Sequence, residues 1–556
     1  MTHPGLILIF SALLAIFFPQ KISKYFLLFI AFLALIISLT LPYENSFLFS
    51  YLGYEINLIR LDGLSRIFLI IFSLMTFVGL IYALNQLSKV EIIAATIYAG
   101  SAMGAVLAGD LISFFIFWEI MAIGSTLVLF SSNYKESKNA AYRYLMIHLF
   151  GGVILMAGIA GHCITLGSIT FDVFELNSIS SYLILFGFLI NAAAFPFSSW
   201  LPDSYPEASF SGSVFLSAFT TKTAVYSLLR GYPGTELLIY VGLLMVFYGI
   251  IYALLENNMR RILSYSIVNQ VGFMIVGAGI GTEMAINGAS AHAFAHIIYK
   301  ALLLMSAGSV LYMTGKHKCS ELGGLFRTMP ITLTCGIVGA LAISAFPLTS
   351  GFVSKSMVSQ AAADQHLLYV WLLLAAASAG VFLHAGIKFP WFVFFQKDSG
   401  LRPKDPPWNM CLAMIIFSFA CVFIGISPSY LYSILPFDVN YVPYTGSHVI
   451  FQLQLLLFAG FAFFVMLPWL KRTLTISLDF DWFYRKLSHT IINKLVYLFV
   501  ILKKIIEIPP AVTKEKILSL SKIFEVLSSN WSTTKMLSAT SILFISYLTL
   551  FYFFTH

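Results

Sequence analysis

Residues 289–310 read ASAHAFAHIIYKALLLMSAGSV, an apolar stretch that carries two histidines and one lysine. About 20 helical residues cross the roughly 30 Å hydrocarbon layer, so a run of this length predicts a transmembrane helix. Lipid offers the backbone no hydrogen-bond partner, which leaves a helix as the form it takes. His292, His296 and Lys300 then fall at i, i+4 and i+8, on one helix face extending about 12 Å at 1.5 Å per residue. An ionised group at that depth costs several kcal/mol and needs a partner, a wet cavity or a task. Imidazole titrates near neutrality and a desolvated lysine can give up its proton, so this face has the geometry of a proton relay. Two histidines at this spacing also suit a metal, but no HExxH glutamate or third ligand accompanies them, and no metal site is expected.

The rest of the chain has the same character. Of 556 residues 59% are hydrophobic and 10% charged, where a soluble domain carries about 25% charged residues. A soluble core is thereby excluded. Candidate spans lie near 5–19, 25–42, 66–85, 92–109, 111–130, 144–165, 181–199, 210–230, 237–255, 262–280, 289–313, 330–354, 367–395, 408–427, 449–470 and 537–555. The expectation is an all-α polytopic membrane protein; a barrel would need alternating strands of about ten residues, and none is legible. The first run lacks a basic n-region and a small-residue cleavage site, and is read as a retained helix. Five scattered cysteines (Cys163, Cys319, Cys335, Cys411, Cys421) form no CxxC pair, so no haem, iron–sulfur or other cofactor is expected. The net charge of +8 reflects loop lysines and arginines facing the cytoplasm and anionic lipid, not nucleic acid. Lys21, Lys24, Lys135, Lys138 and Arg143 mark that face, against Asp172 and Glu175 in the loop that follows.

Two interruptions share their wording: Ala194-Phe195-Pro196-Phe197-Ser198-Ser199 and Ala345-Phe346-Pro347-Leu348-Thr349-Ser350. Each ends an apolar run, and each is followed by a helix with a lone lysine, Lys222 and Lys388. Proline-interrupted segments in two halves point to a transporter's ion path, because unwound backbone is tolerated where it lines a wet cavity. They can equally be ordinary proline loops.

Other ionisable residues fall inside spans. Glu119, in FFIFWEIMAIGSTLVLF, has no other charge between Leu111 and Phe130. Lys222, in FLSAFTTKTAVYSLL, is the cation expected to partner it, a pairing that can also be purely structural. His384 and Lys388 repeat the His/Lys theme; Lys355, near a helix end, can snorkel. His148 is ambiguous, and Arg260 and Arg261 suit the membrane interface. After Leu470, Lys486, Lys494, Lys503, Lys504, Lys514, Lys516 and Lys522 interrupt apolar residues, predicting an amphipathic interfacial segment before a last transmembrane run.

FFIFWEIM, AAAFPFSSWLPDSYPEAS, SAFTTKTAVYSLLR, RRILSYSIVNQVGFM, HAFAHIIYKALLLMSAGSVLY and PLTSGFVSK resemble the proton-translocating antiporter family shared by respiratory complex I and Mrp-type multisubunit cation/proton antiporters. WLPDSYP and TTK resemble the D-type member of the Mrp set most closely. The similarity covers about residues 60 to 395. It implies about fourteen core helices with two inverted five-helix repeats and two broken helices. By motif, Glu119 matches the pathway glutamate, Lys222 the lysine of the first broken helix, His292, His296 and Lys300 the central connection, and Lys388 the terminal lysine. Three positions depart from the family. Asn191 stands where a lysine is common, Ser198 where a histidine is usual, and Arg260 replaces the lysine of a KR(L/I)LAY motif. Arginine barely deprotonates, so Arg260 can act only as a fixed charge, and the first half-channel is expected to be altered.

The expected organisation is N-terminal helices (1–90), a first repeat (91–262), a second repeat (263–400), C-terminal core helices (401–475) and the basic segment with a last helix (476–556). The expected function is proton translocation, with sodium or potassium exchange open, beside other membrane subunits in a bacterial inner membrane. A second reading is a structural or coupling subunit of a quinone-reducing or hydrogenase-type complex, whose redox chemistry its partners would carry. An independent transporter of an organic solute is disfavoured, since few polar side chains converge outside the charged line.

Overall fold

The structure, a computed structural model, describes residues 3–43, 46–51, 53–132 and 134–469, together with 479, 480, 482, 483, 490, 491, 493, 494, 497 and 498. The expected last helix, and most of the basic segment before it, lie outside the described residues. The chain divides into two units, Met1–Asp481 and Trp482–His556, and the first contains the membrane helices described here.

The first unit opens with α1 (Pro4–Leu14) and α2 (Gln20–Thr40), followed by a hairpin of β1 (Ser46–Tyr51) and β2 (Tyr54–Arg60). This hairpin departs from the all-helical expectation. SFLFSYLGYEINLIR is too short between helices to span, and Gly53, at φ +80°, supplies its turn. Next come α3 (Gly63–Tyr82), α4 (Lys89–Leu107), α5 (Leu111–Phe130), α6 (Lys135–Leu166) and α7 (Ile179–Asn191). Side-chain oxygens of Asp62, Ser88 and Asp110 accept N–H bonds from the first turns of α3, α4 and α5, meeting donors that a helix start leaves unpaired.

The expected span 181–199 stops at Asn191. Ala193 takes φ +58°, the Phe195–Pro196 bond is cis, and the chain resumes in two short helices, α8 (Trp200–Ser204) and α9 (Gly212–Leu216). A break at 217–219 separates α9 from α10 (Thr220–Gly231). Then α11 (Leu237–Leu255), α12 (Met259–Ile280) and α13 (Glu283–Thr314) cross, before α14 (Pro330–Ile343). The expected span 330–354 is likewise interrupted, with Ala345 at φ +55° and Leu348 at +67°, and resumes as α15 (Ser350–Asp364). The two interruptions close alike: Ala194 N donates to Leu189 O at 2.9 Å, and Phe346 N to Leu341 O at 3.0 Å. The same type of closing bond thus falls one residue earlier in the first word than in the second, and the cis peptide bond belongs to the first. α16 (Leu368–Val381) continues into π-helical turns at Phe382–Lys388 and Trp391–Phe395, followed by α17 (Trp408–Ile426), α18 (Ser429–Tyr432) and α19 (Gly446–Met466).

Among the described residues eleven helices are long and apolar enough to cross a membrane, and three shorter apolar helices accompany them. α12 and α13 are buried along almost their whole length and form the axis of the unit. α11 reaches α12 through paired glycines: a Cβ on Gly242 would lie 2.6 Å from the Gly272 carbonyl, and the reverse is equally tight. Small residues at such crossings let helix backbones approach in lipid, where van der Waals packing replaces the hydrophobic drive.

Candidate functional site

The face predicted on α13 is fully buried: His292, His296 and Lys300 have no exposed surface. α12 supplies their partners. His292 Nε2 donates to Gln270 Oε1 at 3.1 Å, and the same oxygen accepts from Tyr299 OH at 3.2 Å. Lys300 Nζ donates to Ser266 Oγ at 2.8 Å. Neither ring nitrogen of His296 meets a hydrogen-bond partner, and its ring lies 6.2 Å from that of His292. The three groups are thus a spaced series along one helix, each one turn from the next. Sequence reading missed Gln270 and Ser266, because it weighed ionisable residues and passed over neutral polar ones in SYSIVNQ.

Two lysines stand near the starts of helices that resume after an interruption. Lys222, in the first turn of α10, donates to Ser217 O at 2.6 Å and Thr221 Oγ1 at 3.1 Å. Its ammonium satisfies a carbonyl freed by the break, at the negative end of the preceding helical turn. It forms no ion pair with Glu119, contrary to the expectation; its hydrogen bonds go instead to acceptors at and beside the break. Lys355, in α15, has no hydrogen-bond acceptor; its ammonium lies 4.3 Å from the centre of the Phe273 ring. It borders a cavity of about 310 Å³ lined also by Ser356, Gln360, Tyr441, Thr445 and His448. A buried ammonium beside a cavity with some polar lining can be hydrated or discharged there.

Glu119 projects from α5 onto α6. Its Oε1 is buried without a hydrogen-bond partner, and a Cβ at Gly152 would sit 2.1 Å from it. His148, one turn earlier on α6, is 1% exposed and pairs through Nδ1 with Asn191 Oδ1 at 2.8 Å. Lys388 donates to the carbonyls of Ala253 (3.0 Å), Leu254 (2.6 Å) and Glu256 (2.6 Å), capping the C-terminus of α11. His384 Nδ1 meets Gly380 O at 2.8 Å. Arg260, at the start of α12, is buried within the protein, where Ala208 O (2.7 Å) and Ser209 O (2.8 Å) accept from its Nη2. Arg261 pairs with Glu256 at 3.3 Å. A second buried carboxylate, Glu91, accepts from Gln86, Ser131, Ser209 and Ser211. It lies one residue outside the span read at 92–109, which is why sequence reading overlooked it.

The family described as NADH:quinone oxidoreductase/Mrp antiporter, TM, matches residues 108–382. Residues 108–382, just under half of the chain, are similar to this antiporter family's membrane domain. The matched residues hold every group just described except Gln86, Glu91, His384, Lys388 and the distal cavity wall. The chain is 31% identical over 272 residues to the D-type component of the Na(+)/H(+) antiporter of Alkalihalophilus pseudofirmus, covering 45% of this chain and 55% of that protein. It spans about half the length of such relatives. A solved chain of the Mrp complex from Dietzia sp. DQ12-45-1b superposes with TM-score 0.71 at 19% identity, covering 78% of this chain and 95% of that one. A chain of the membrane-bound sulfane sulfur reductase, an archaeal respiratory membrane complex, superposes with TM-score 0.74 at 21% identity, covering 98% and 99%. The fold shared with these chains therefore extends through most of the polypeptide.

Proposed function

We propose that this integral membrane protein is a proton-translocating, cation/proton antiporter-like subunit of a multisubunit complex, moving protons through Glu119, Lys222, His292, His296, Lys300 and a terminal lysine. The observation that carries the reading is the buried series on α13, flanked by lysines at two interrupted helices. Lys222 lies within electrostatic reach of both histidines, and Lys355 within reach of His292. Sites that sense one another's charge titrate as a set, so protonating one biases the next, and a proton entering at one end drives release at the other. Lys355 suits the terminal position better than Lys388: it has no acceptor and borders a cavity lined in part by polar side chains, whereas Lys388 is committed to three carbonyls.

Glu119 supplies the one carboxylate of the series, and a sodium or potassium site would need more clustered oxygen ligands than it provides. Protons are therefore assigned to this chain, and a metal cation, where one is exchanged, to a partner subunit in a bacterial inner membrane. The test is proton flux in vesicles holding the assembled complex. Lys222→Ala and Glu119→Ala are expected to assemble and to abolish flux; an assembled variant that pumps normally overturns the assignment.

The near-complete overlay on a respiratory-complex chain supports a second reading, in which the same domain couples to redox chemistry on other subunits. Purification of the native complex separates the two: iron–sulfur or flavin absorbance in co-purifying subunits favours the redox setting.

A further inference from the structure

Three positions on α6, 144, 148 and 152, follow at one-turn intervals of about 6 Å on a single face. At the 152 end Glu119 from α5 rests over the glycine. At the 144 end Tyr144 OH donates to Ser125 Oγ at 3.0 Å and lies 3.3 Å from Thr220 Oγ1, the first residue of α10, two before Lys222. Between them stands His148, its ring 4.0 Å from that of Tyr144 and 4.6 Å from that of Trp200. Glu119 and Lys222 form no ion pair of their own, and His148 stands on the α6 face between the glycine under Glu119 and the tyrosine that approaches the start of α10.

Its chemistry suits that position. Asn191 Oδ1 can only accept, so at 2.8 Å it fixes the proton on His148 Nδ1. Nε2 is then the basic nitrogen, and it is buried with no hydrogen-bond partner. The asparagine that departs from the family's lysine thus holds an imidazole in one tautomer.

We propose that His148 is a relay residue carrying protons between Glu119 and Lys222, a refinement that rests on the proton-translocating reading of this site. The Glu119 carboxyl O–H breaks as Nε2–H forms, through intervening water, giving a carboxylate and an imidazolium that keeps Nδ1–H on Asn191. The Nε2 proton then passes to the neutral amine of Lys222, which becomes the ammonium held by Ser217 O, and the imidazole returns to its starting tautomer. Net, one proton moves from Glu119 to Lys222.

The experiment measures proton flux in vesicles containing the whole complex, for wild type, His148→Gln, Asn191→Leu and Lys222→Ala. His148→Gln, which fills the site but does not titrate, is expected to lower flux at least roughly tenfold, within the usual range for loss of a proton-transfer group. Asn191→Leu, which frees the tautomer, is expected to lower flux and to raise the ratio of rates in H2O and D2O, a change that a packing role would not produce. If His148→Gln assembles and pumps within twofold of wild type while Lys222→Ala is inactive, the relay is overturned and the parent reading stands. If both pump normally, both fall. Should His148→Gln fail to assemble, an assembled Asn191→Leu complex with unchanged flux and unchanged isotope ratio overturns the relay.

Discussion

Glu119 fits against α6 because position 152 has no side chain, and a methyl there would overlap its Oε1. Gly152→Ala is therefore expected to displace the carboxylate, lowering flux in assembled complexes and destabilising the fold by about 1–3 kcal/mol, as overpacking does; flux and thermal midpoint of the detergent-solubilised complex check both. Asp62, at the start of α3 and outside the spans, shows a different use of a carboxylate. Its oxygens accept from Arg230 Nη2 at 2.8 and 2.7 Å, while Oδ1 caps Ser65 N at 2.8 Å. Burial opposes its charge, but Arg230 and the Ser65 N–H outweigh that and hold the carboxyl below its ordinary range. A depressed carboxylate contributes stability that is fully present above its unfolded pKa and lost as pH falls through the folded one. Acidification below about pH 4 should thus lower the thermal midpoint of wild type more than that of Asp62→Asn.

At the scale of elements, some helix ends are capped by side chains far away in sequence. α14, the first arm of the second interruption, starts at a proline and has no capping side chain of its own. Asp405, from the loop before α17, accepts instead from Ile331 N (3.1 Å), Thr332 N (3.0 Å) and Thr332 Oγ1 (2.8 Å). Asp405→Ala is expected to cost about 1 kcal/mol, the usual loss for a helix N-cap, read as a lower thermal midpoint with the complex still assembling. Lys388 performs the matching task at the C-terminus of α11. Lys388→Met should lower stability by about 1–3 kcal/mol, since it leaves buried carbonyls unpaired. Flux per assembled complex should persist in Lys388→Met and vanish in Lys355→Ala; the opposite pattern would return the terminal position to Lys388.

Across the whole molecule, the helical membrane architecture was legible because lipid imposes it: apolar runs of about 20 residues leave the chain no other form. The α13 series was legible for the same reason, since helical period alone aligns His292, His296 and Lys300. The repeated proline words also marked true interruptions, although propensity could not say that spans 181–199 and 330–354 would each stop short of the proline. Three matters depended on the folded geometry around the buried groups. Lys222 turns to Ser217 and not to Glu119, Lys388 spends its charge on α11 while Lys355 keeps its own beside a cavity, and Asn191 meets His148 across 43 positions. A sequence states which groups are buried, because burial follows from hydropathy and period. Which acceptor each buried group reaches is a matter of distances a few ångströms wide, and only the packing of one helix against another decides them.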